Sequence, residues 1–178
     1  RADRHRLDRR PRRLSRRRVV QSTMTEPVPY PFLPATPGYH LRRLQQAAVA
    51  LFMAQTSEFG ITPVQFAALV ATHEQPGLDQ RTLAATIGFD TSTIGGVIDR
   101  LERRGLIERL ASPTDRRVRL LQVTSEGVAL LADVEPGMLS AQQRILAPLP
   151  AAERHGFMAQ LKTIVDANND ASRAPSDV

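Results

Sequence analysis

Three short stretches of this chain gather side chains suited to gripping a polyanion and reading what it carries. Residues 90–105, DTSTIGGVIDRLERRG, open with the hydroxyls of Thr91, Ser92 and Thr93, continue through Gly95 and Gly96, and carry Arg100 and Arg103 further on. Residues 113–117, PTDRR, place Asp115, Arg116 and Arg117 on a turn-forming segment. Gln80, Arg81 and Thr82 open the segment just before the first stretch. Short polar groups at a helix N-terminus favour phosphate, and guanidinium groups suit both phosphates and base edges.

Catalysis has no comparable support. The chain has no cysteine, so disulfides, thiolate metal sites and thiol redox sensing are excluded. His5, His40, His73 and His155 lie far apart, without ligand spacing. No Ser/His/Asp nucleophile motif, phosphate-binding glycine loop or acid–base carboxylate pair is present. The acids of EGVALLADVEPG have spacings that suit a wet helix face. Neither a cofactor nor a metal is expected, and the protein is not read as an enzyme.

The formal charge of +6 belongs to one end. Residues 1–23 hold ten arginines against Asp3 and Asp8, a local +8 that leaves −2 for the remainder. Nucleic-acid binding must therefore rest on where the later arginines sit; seven of them face five acids between Asp90 and Leu120. The 1–23 segment lacks apolar periodicity and reads as a disordered tail. It is either a nucleic-acid arm or a stretch outside the native protein, with Met24 as the start. Only Val19 and Val20 follow the arginines, too little for a secretion signal, and Asp3 and Asp8 argue against a transit peptide. No apolar run approaches the length of a membrane span.

The remaining 24–178 segment has an order of elements that could position the polar stretches. Five prolines between Pro27 and Pro37 make residues 24–37 an extended leader. Gly38 opens a helix with Leu41, Leu44, Ala48, Leu51 and Phe52 on one stripe, ended by Gly60. A second helix starts near Pro63 and stops at Pro76-Gly77. A short third helix, QRTLAATIG, turns inward Leu83, Ala84 and Ile87. The fourth, Asp90–Arg104, has Ile94, Val97, Ile98 and Leu101 at helical spacing. Leu106–Leu110 and Val118–Val123 then read as strands around the ASPTDRR turn. Thr124 caps a long helix that Pro136-Gly137 should kink or break, and Pro150 starts the last helix, with Phe157, Leu161, Ile164 and Val165 apolar. Residues 171–178 should fray.

A short helix, a glycine-containing turn and a second helix form a helix-turn-helix signal, and a basic-tipped hairpin directly after it makes a winged helix. The fold class is thus mainly α with a small β-hairpin wing. Residues 38–170 form one domain: a winged helix at about 62–124, flanked by N- and C-terminal dimerisation helices at about 38–59 and 124–170.

Residues 62–127 resemble the MarR (multiple antibiotic resistance regulator) family in TPVQFAAL, in TIGGVIDRLERRGLIER, in PTDRR and in VTSEG. Within the family, TPVQFAAL with GGVIDRLE is most similar to regulators of aromatic-acid catabolism. The resemblance implies a DNA-binding transcriptional regulator, by default a repressor. It also implies that Asp115 and Arg117 form an Asp-x-Arg pair, with the arginine in the minor groove and the aspartate holding its guanidinium.

On the fourth helix, Ser92, Gly96, Asp99 and Arg103 lie opposite the apolar stripe, and Gly95 lies on the flank. Gly96 should let the backbone approach DNA. Gly95 serves either that approach or close packing on the preceding helix. Arg100, Arg103, Arg116 and Arg119 could reach phosphates, although pairing with Asp99 competes for Arg103.

Apolar stripes on the outer helices call for a two-fold homodimer, which would set two recognition helices about 34–36 Å apart on a palindromic double-stranded operator. In the family a small aromatic acid often binds between the dimer helices and the winged helix. Tyr39, His40, Arg43 and Phe66 are the candidates here. The alternative is a winged helix used for protein interaction without DNA reading, which the slightly acidic remainder favours. Near-exclusive use of arginine, with Lys162 the sole lysine, suits a GC-rich bacterial genome. The expected location is the cytoplasm, on the nucleoid when bound.

Overall fold

A computed structural model describes residues 33–171, apart from the Asp170 side chain. The 1–23 tail, residues 24–32 of the leader and residues 172–178 lie outside the described residues. Eight regular elements follow in order: α1 (Pro37–Thr56), α2 (Pro63–Glu74), α3 (Gln80–Thr86), α4 (Thr91–Arg103), β1 (Ile107–Ala111), β2 (Arg119–Val123), α5 (Ser125–Leu146) and α6 (Ala151–Ala167). Short 3-10 turns occupy Leu33–Ala35, Ser57–Phe59 and Asn169–Ala171.

Local chemistry starts each helix of the winged helix. At α2, the Thr62 hydroxyl accepts from the Gln65 N–H while the Gln65 side chain accepts from the Thr62 N–H, a complete capping box with Pro63 in the first turn. Asp79 caps α3 by accepting from the Thr82 N–H at 2.7 Å, and that bond holds its carboxyl below the usual carboxylate range. Thr124 caps α5 through the Gly127 N–H, while its own hydroxyl donates to the Gly105 carbonyl. Gly88 (φ 67°) and Gly105 (φ 69°) take the left-handed conformation that closes α3 and α4.

The core sits where α2, α3, α4 and the hairpin converge. Ile94, Val97, Ile98 and Leu101 are all at most 1 % exposed, so the predicted stripe is the buried one. They lie in one cluster with Ala68, Leu69, Leu83, Ala84, Ile107 and Leu121. The hairpin pairs antiparallel from Ile107↔Val123 to Ala111↔Arg119. Chain ahead of α3 adds a third edge: Leu121 N–H donates to the Leu78 carbonyl at 2.8 Å, and Gly77 N–H to the Leu121 carbonyl at 3.0 Å. Gly77 was expected only as part of the stop of the second helix.

The expected break in the long helix does not occur. α5 runs unbroken through Pro136-Gly137. A proline removes one helical N–H, here the one that would reach Ala132. The loss falls where Ala132, Asp133, Glu135 and Pro136 are exposed, so water can satisfy the freed carbonyl. Gly137 meets a different need, since a β-carbon there would lie 2.7 Å from the Gln55 carbonyl oxygen and 3.2 Å from Thr56 Cγ2. It is the point where α5 crosses α1, with Val134 and Ala141 fully buried on either side. The first helix also starts one residue earlier than expected, with Pro37 in its first turn.

α6 is different in kind. None of its residues is buried, and Met158, Ile164 and Val165 are about half exposed. Leu41 of α1 and Leu139 of α5 are similarly bare.

Candidate nucleic-acid interface

The arginines of the winged helix divide into two groups. Arg104 donates through both terminal nitrogens, to the Gly60 carbonyl at 2.7 Å and the Phe59 carbonyl at 2.9 Å, tying the end of α4 to the α1–α2 connection. Arg109 on β1 bridges the carboxylates of Asp99 and Glu102 on α4. Arg103 Nε donates to the Asp99 carbonyl, and Arg119 reaches the Arg116 carbonyl at 3.4 Å. In contrast, the guanidinium groups of Arg100, Arg116 and Arg117 are exposed and have no hydrogen-bond or ion-pair partner among the described residues. Arg81, also exposed, lies only in the field of the Asp79 carboxylate. Competition from Asp99 was expected for Arg103, but the carboxylate goes to Arg109 and the backbone carbonyl to Arg103.

The start of α4 is tightly organised. Asp90 accepts from the Thr93 N–H at 2.8 Å, from the Thr93 hydroxyl at 2.6 Å and from the Ser92 hydroxyl. The Ser92 bond contributes most to holding the Asp90 carboxyl far below the usual carboxylate range, followed by Thr93. Asp90 thus remains an anion at any working pH. Thr91 keeps its hydroxyl uncommitted among the described residues, while its carbonyl accepts from Gln80 Nε2 at 2.9 Å. The Gln80 side chain, a candidate phosphate contact, bridges α3 to α4. Thr82 is exposed.

The two glycines separate. A β-carbon on Gly95 would stand 3.0 Å from Gln80 Nε2, a tight contact with the far end of a flexible side chain on the preceding helix. On Gly96 it would meet only Arg100 of the same helix, at 3.6 Å, an ordinary contact. Nothing among the described residues requires a glycine at 96. Gly96→Ala should therefore raise the melting temperature, reflecting about 0.5–1 kcal/mol of helix propensity. It should at the same time weaken operator binding in a mobility-shift titration. A rise in both stability and affinity would mean that Gly96 does not serve DNA approach.

At the wing, the structure corrects the role expected of Asp115. Its carboxylate accepts from the Arg117 backbone N–H at 2.9 Å, and no Asp115–Arg117 ion pair forms among the described residues. The aspartate shapes the turn and leaves the guanidinium free. Ser112, 8 % exposed, completes the tip by accepting from the Thr114 and Asp115 N–H groups at 3.3 Å. Asp90, Arg104, Arg109 and Ser112 were not singled out from sequence. Asp90 alone had a legible signal, an aspartate two and three residues before hydroxyls at a helix start.

Of the ligand candidates, Tyr39, His40 and Arg43 lie together on α1, and Phe66 lies apart. His40 and Arg43 line a groove of about 560 Å³ between α1 and α6, with Leu44, Phe157 and Leu161. His40 Nε2 lies 2.6 Å from the Pro34 carbonyl, and Tyr39 meets the His40 ring edge-on. Phe66 lines a separate cavity of about 440 Å³ between α2 and α5, and packs on Phe52 with ring centres 5.8 Å apart.

A helix-turn-helix whose second helix presents hydroxyls and unpaired arginine, followed by an arginine-tipped two-stranded wing, defines a winged-helix DNA-binding protein. Residues 61–118 match the MarR family model. A transcriptional regulatory protein assigned to the hcr operon of Thauera aromatica is 40% identical over 128 residues, covering 71% of this chain and 77% of that protein. The repressor CouR bound to a 23-mer DNA duplex superposes with a TM-score of 0.70 at 31% identity, covering 75% of this chain and 94% of that one. Bordetella bronchiseptica BpsR, described for regulation of its DNA binding by 6-hydroxynicotinic acid, gives 0.73 at 31% identity, covering 78% and 99%. The chain belongs to the MarR family of transcriptional regulators.

Proposed function

We propose that the protein is a homodimeric repressor that reads a palindromic operator through α4 and the wing and is released by a small aromatic acid. The carrying observation is the division of the arginines: Arg100 on α4 and Arg116 and Arg117 at the wing tip have no guanidinium partner among the described residues, whereas Arg104 and Arg109 are tied into the fold. Dimerisation is supported by α6, which buries none of its residues, and by the apolar groove it shares with α1 and α5, lined by Leu41, Leu44, Ile145, Leu146, Met158 and Leu161. A second copy would cover these faces. For the effector, Arg43 beside Phe157 and Leu161 offers a carboxylate partner next to apolar walls. No described helix is long and apolar enough to cross a membrane, and a cytoplasmic location on the nucleoid fits the proposed role.

Selection of bound sequences from a random DNA pool, with sedimentation of the protein at micromolar concentration, tests this reading. A dimeric species and a palindromic consensus are expected, and deletion from Pro150 onward should give monomers or insoluble protein. Hydroxybenzoates should release the DNA, and Arg43→Ala should blunt that release while leaving basal operator binding unchanged. A stable monomer that selects no sequence would favour the protein-interaction alternative.

A further inference from the structure

The geometry points to Asp90 as a specificity-determining residue: by taking the protons of the Ser92 and Thr93 hydroxyls, it makes both oxygens outward acceptors that select bases bearing amino groups. This inference rests on the reading of α4 as the DNA-reading helix.

A hydroxyl has one proton to give and two lone pairs to offer. An ionised carboxylate only accepts, so both hydroxyls must donate to Asp90, Thr93 at 2.6 Å and Ser92 on the other oxygen. Such charge-assisted bonds are roughly twice as strong as neutral ones, which disfavours rotation of either proton toward DNA. All three residues are exposed. The Thr93 N–H also donates to Asp90, so the carboxylate is fixed by the helix itself and cannot swing away without uncapping α4.

With their protons committed, Ser92 and Thr93 can accept from the major-groove amino groups of adenine N6 and cytosine N4. They cannot donate to guanine O6 or N7, to thymine O4, or to a phosphate oxygen. Thr91, whose hydroxyl is uncommitted among the described residues, remains able to donate to the backbone. The three adjacent hydroxyls therefore divide into one positioning group and two readers of fixed polarity.

Asp90→Asn inverts that polarity without removing the cap, because asparagine is an equally good N-cap. Its oxygen still accepts, but its amide nitrogen donates to one of the two hydroxyls, which then turns its proton outward. Random-pool selection with the wild type should enrich adenine or cytosine at the positions facing Ser92 and Thr93. With Asp90→Asn, guanine or thymine should rise at one of them by about two- to tenfold, the worth of one hydrogen bond. Ser92→Ala and Thr93→Val keep the cap and should flatten the preference at their own positions only. An unchanged consensus for Asp90→Asn, in a variant whose helicity matches the wild type, would overturn the inference while leaving DNA reading intact. A wild type that selects no consensus would overturn the DNA reading itself, and the inference with it.

Discussion

Arg117→Ala weakens operator binding by about 1–3 kcal/mol, with the greatest loss on operators whose flanks are A/T-rich. A narrow A/T minor groove concentrates negative potential, and an exposed guanidinium on a wing tip is the group to exploit it. The side chain has no partner among the described residues, so its removal breaks no internal bond and the melting temperature should not move. Asp115→Ala should act in the same direction but more weakly. Its carboxylate orders the tip through the Arg117 N–H, a bond worth about 1 kcal/mol, while the arginine itself survives. Fluorescence anisotropy on one labelled operator, paired with thermal melts, checks both. A substantial fall in melting temperature for Arg117→Ala would assign the residue to the fold instead.

The second large effect is on stability. A β-carbon at Gly127 would collide with the Leu106 carbonyl oxygen and sit 2.6 Å from Val123 Cγ1. Leu106 directly precedes β1 and Val123 ends β2, and the backbone oxygen cannot turn aside. Gly127→Ala should therefore destabilise the protein by about 1–3 kcal/mol through overpacking, despite the helical gain that alanine brings. The melting temperature should fall by about 2–4 °C for each kcal/mol lost. Gly96→Ala, whose β-carbon would make only an ordinary contact with Arg100, should move it the other way. Equal shifts for the two would contradict the packing described here.

These two glycines also mark where sequence was legible and where it was not. Gly96 could be placed outward from helical periodicity alone, because the apolar stripe at Ile94, Val97, Ile98 and Leu101 fixes the helix rotation. Gly127 carried only a motif resemblance, since its reason is a contact with a residue 21 positions earlier that no local pattern encodes. The same holds for Arg109. Its spacing from Asp99 and Glu102 spans a turn between a helix and a strand, and only the folded geometry brings the three together. Pro136-Gly137 misled for a related reason. Local chemistry favours a break there, but the crossing of α1 and α5 keeps the helix continuous. The wing was read correctly as a turn, yet the partner of Asp115 depended on backbone direction within it. Tyr39, His40 and Arg43 stay together on α1, and the fold sets Phe66 apart because it lines a separate cavity between α2 and α5.

The division of arginines into structural and DNA-facing sets is the central claim, and the salt dependence of operator affinity tests it most directly. Each lost phosphate contact should reduce the slope of log affinity against log salt concentration by about 0.9. Arg100→Ala and Arg116→Ala should each flatten the slope by about that amount and leave the melting temperature unchanged. Arg104→Ala, which strips two hydrogen bonds from the Phe59 and Gly60 carbonyls, should lower the melting temperature and leave the slope intact. A flattened slope for Arg104→Ala with unaltered slopes for Arg100→Ala and Arg116→Ala would contradict the account.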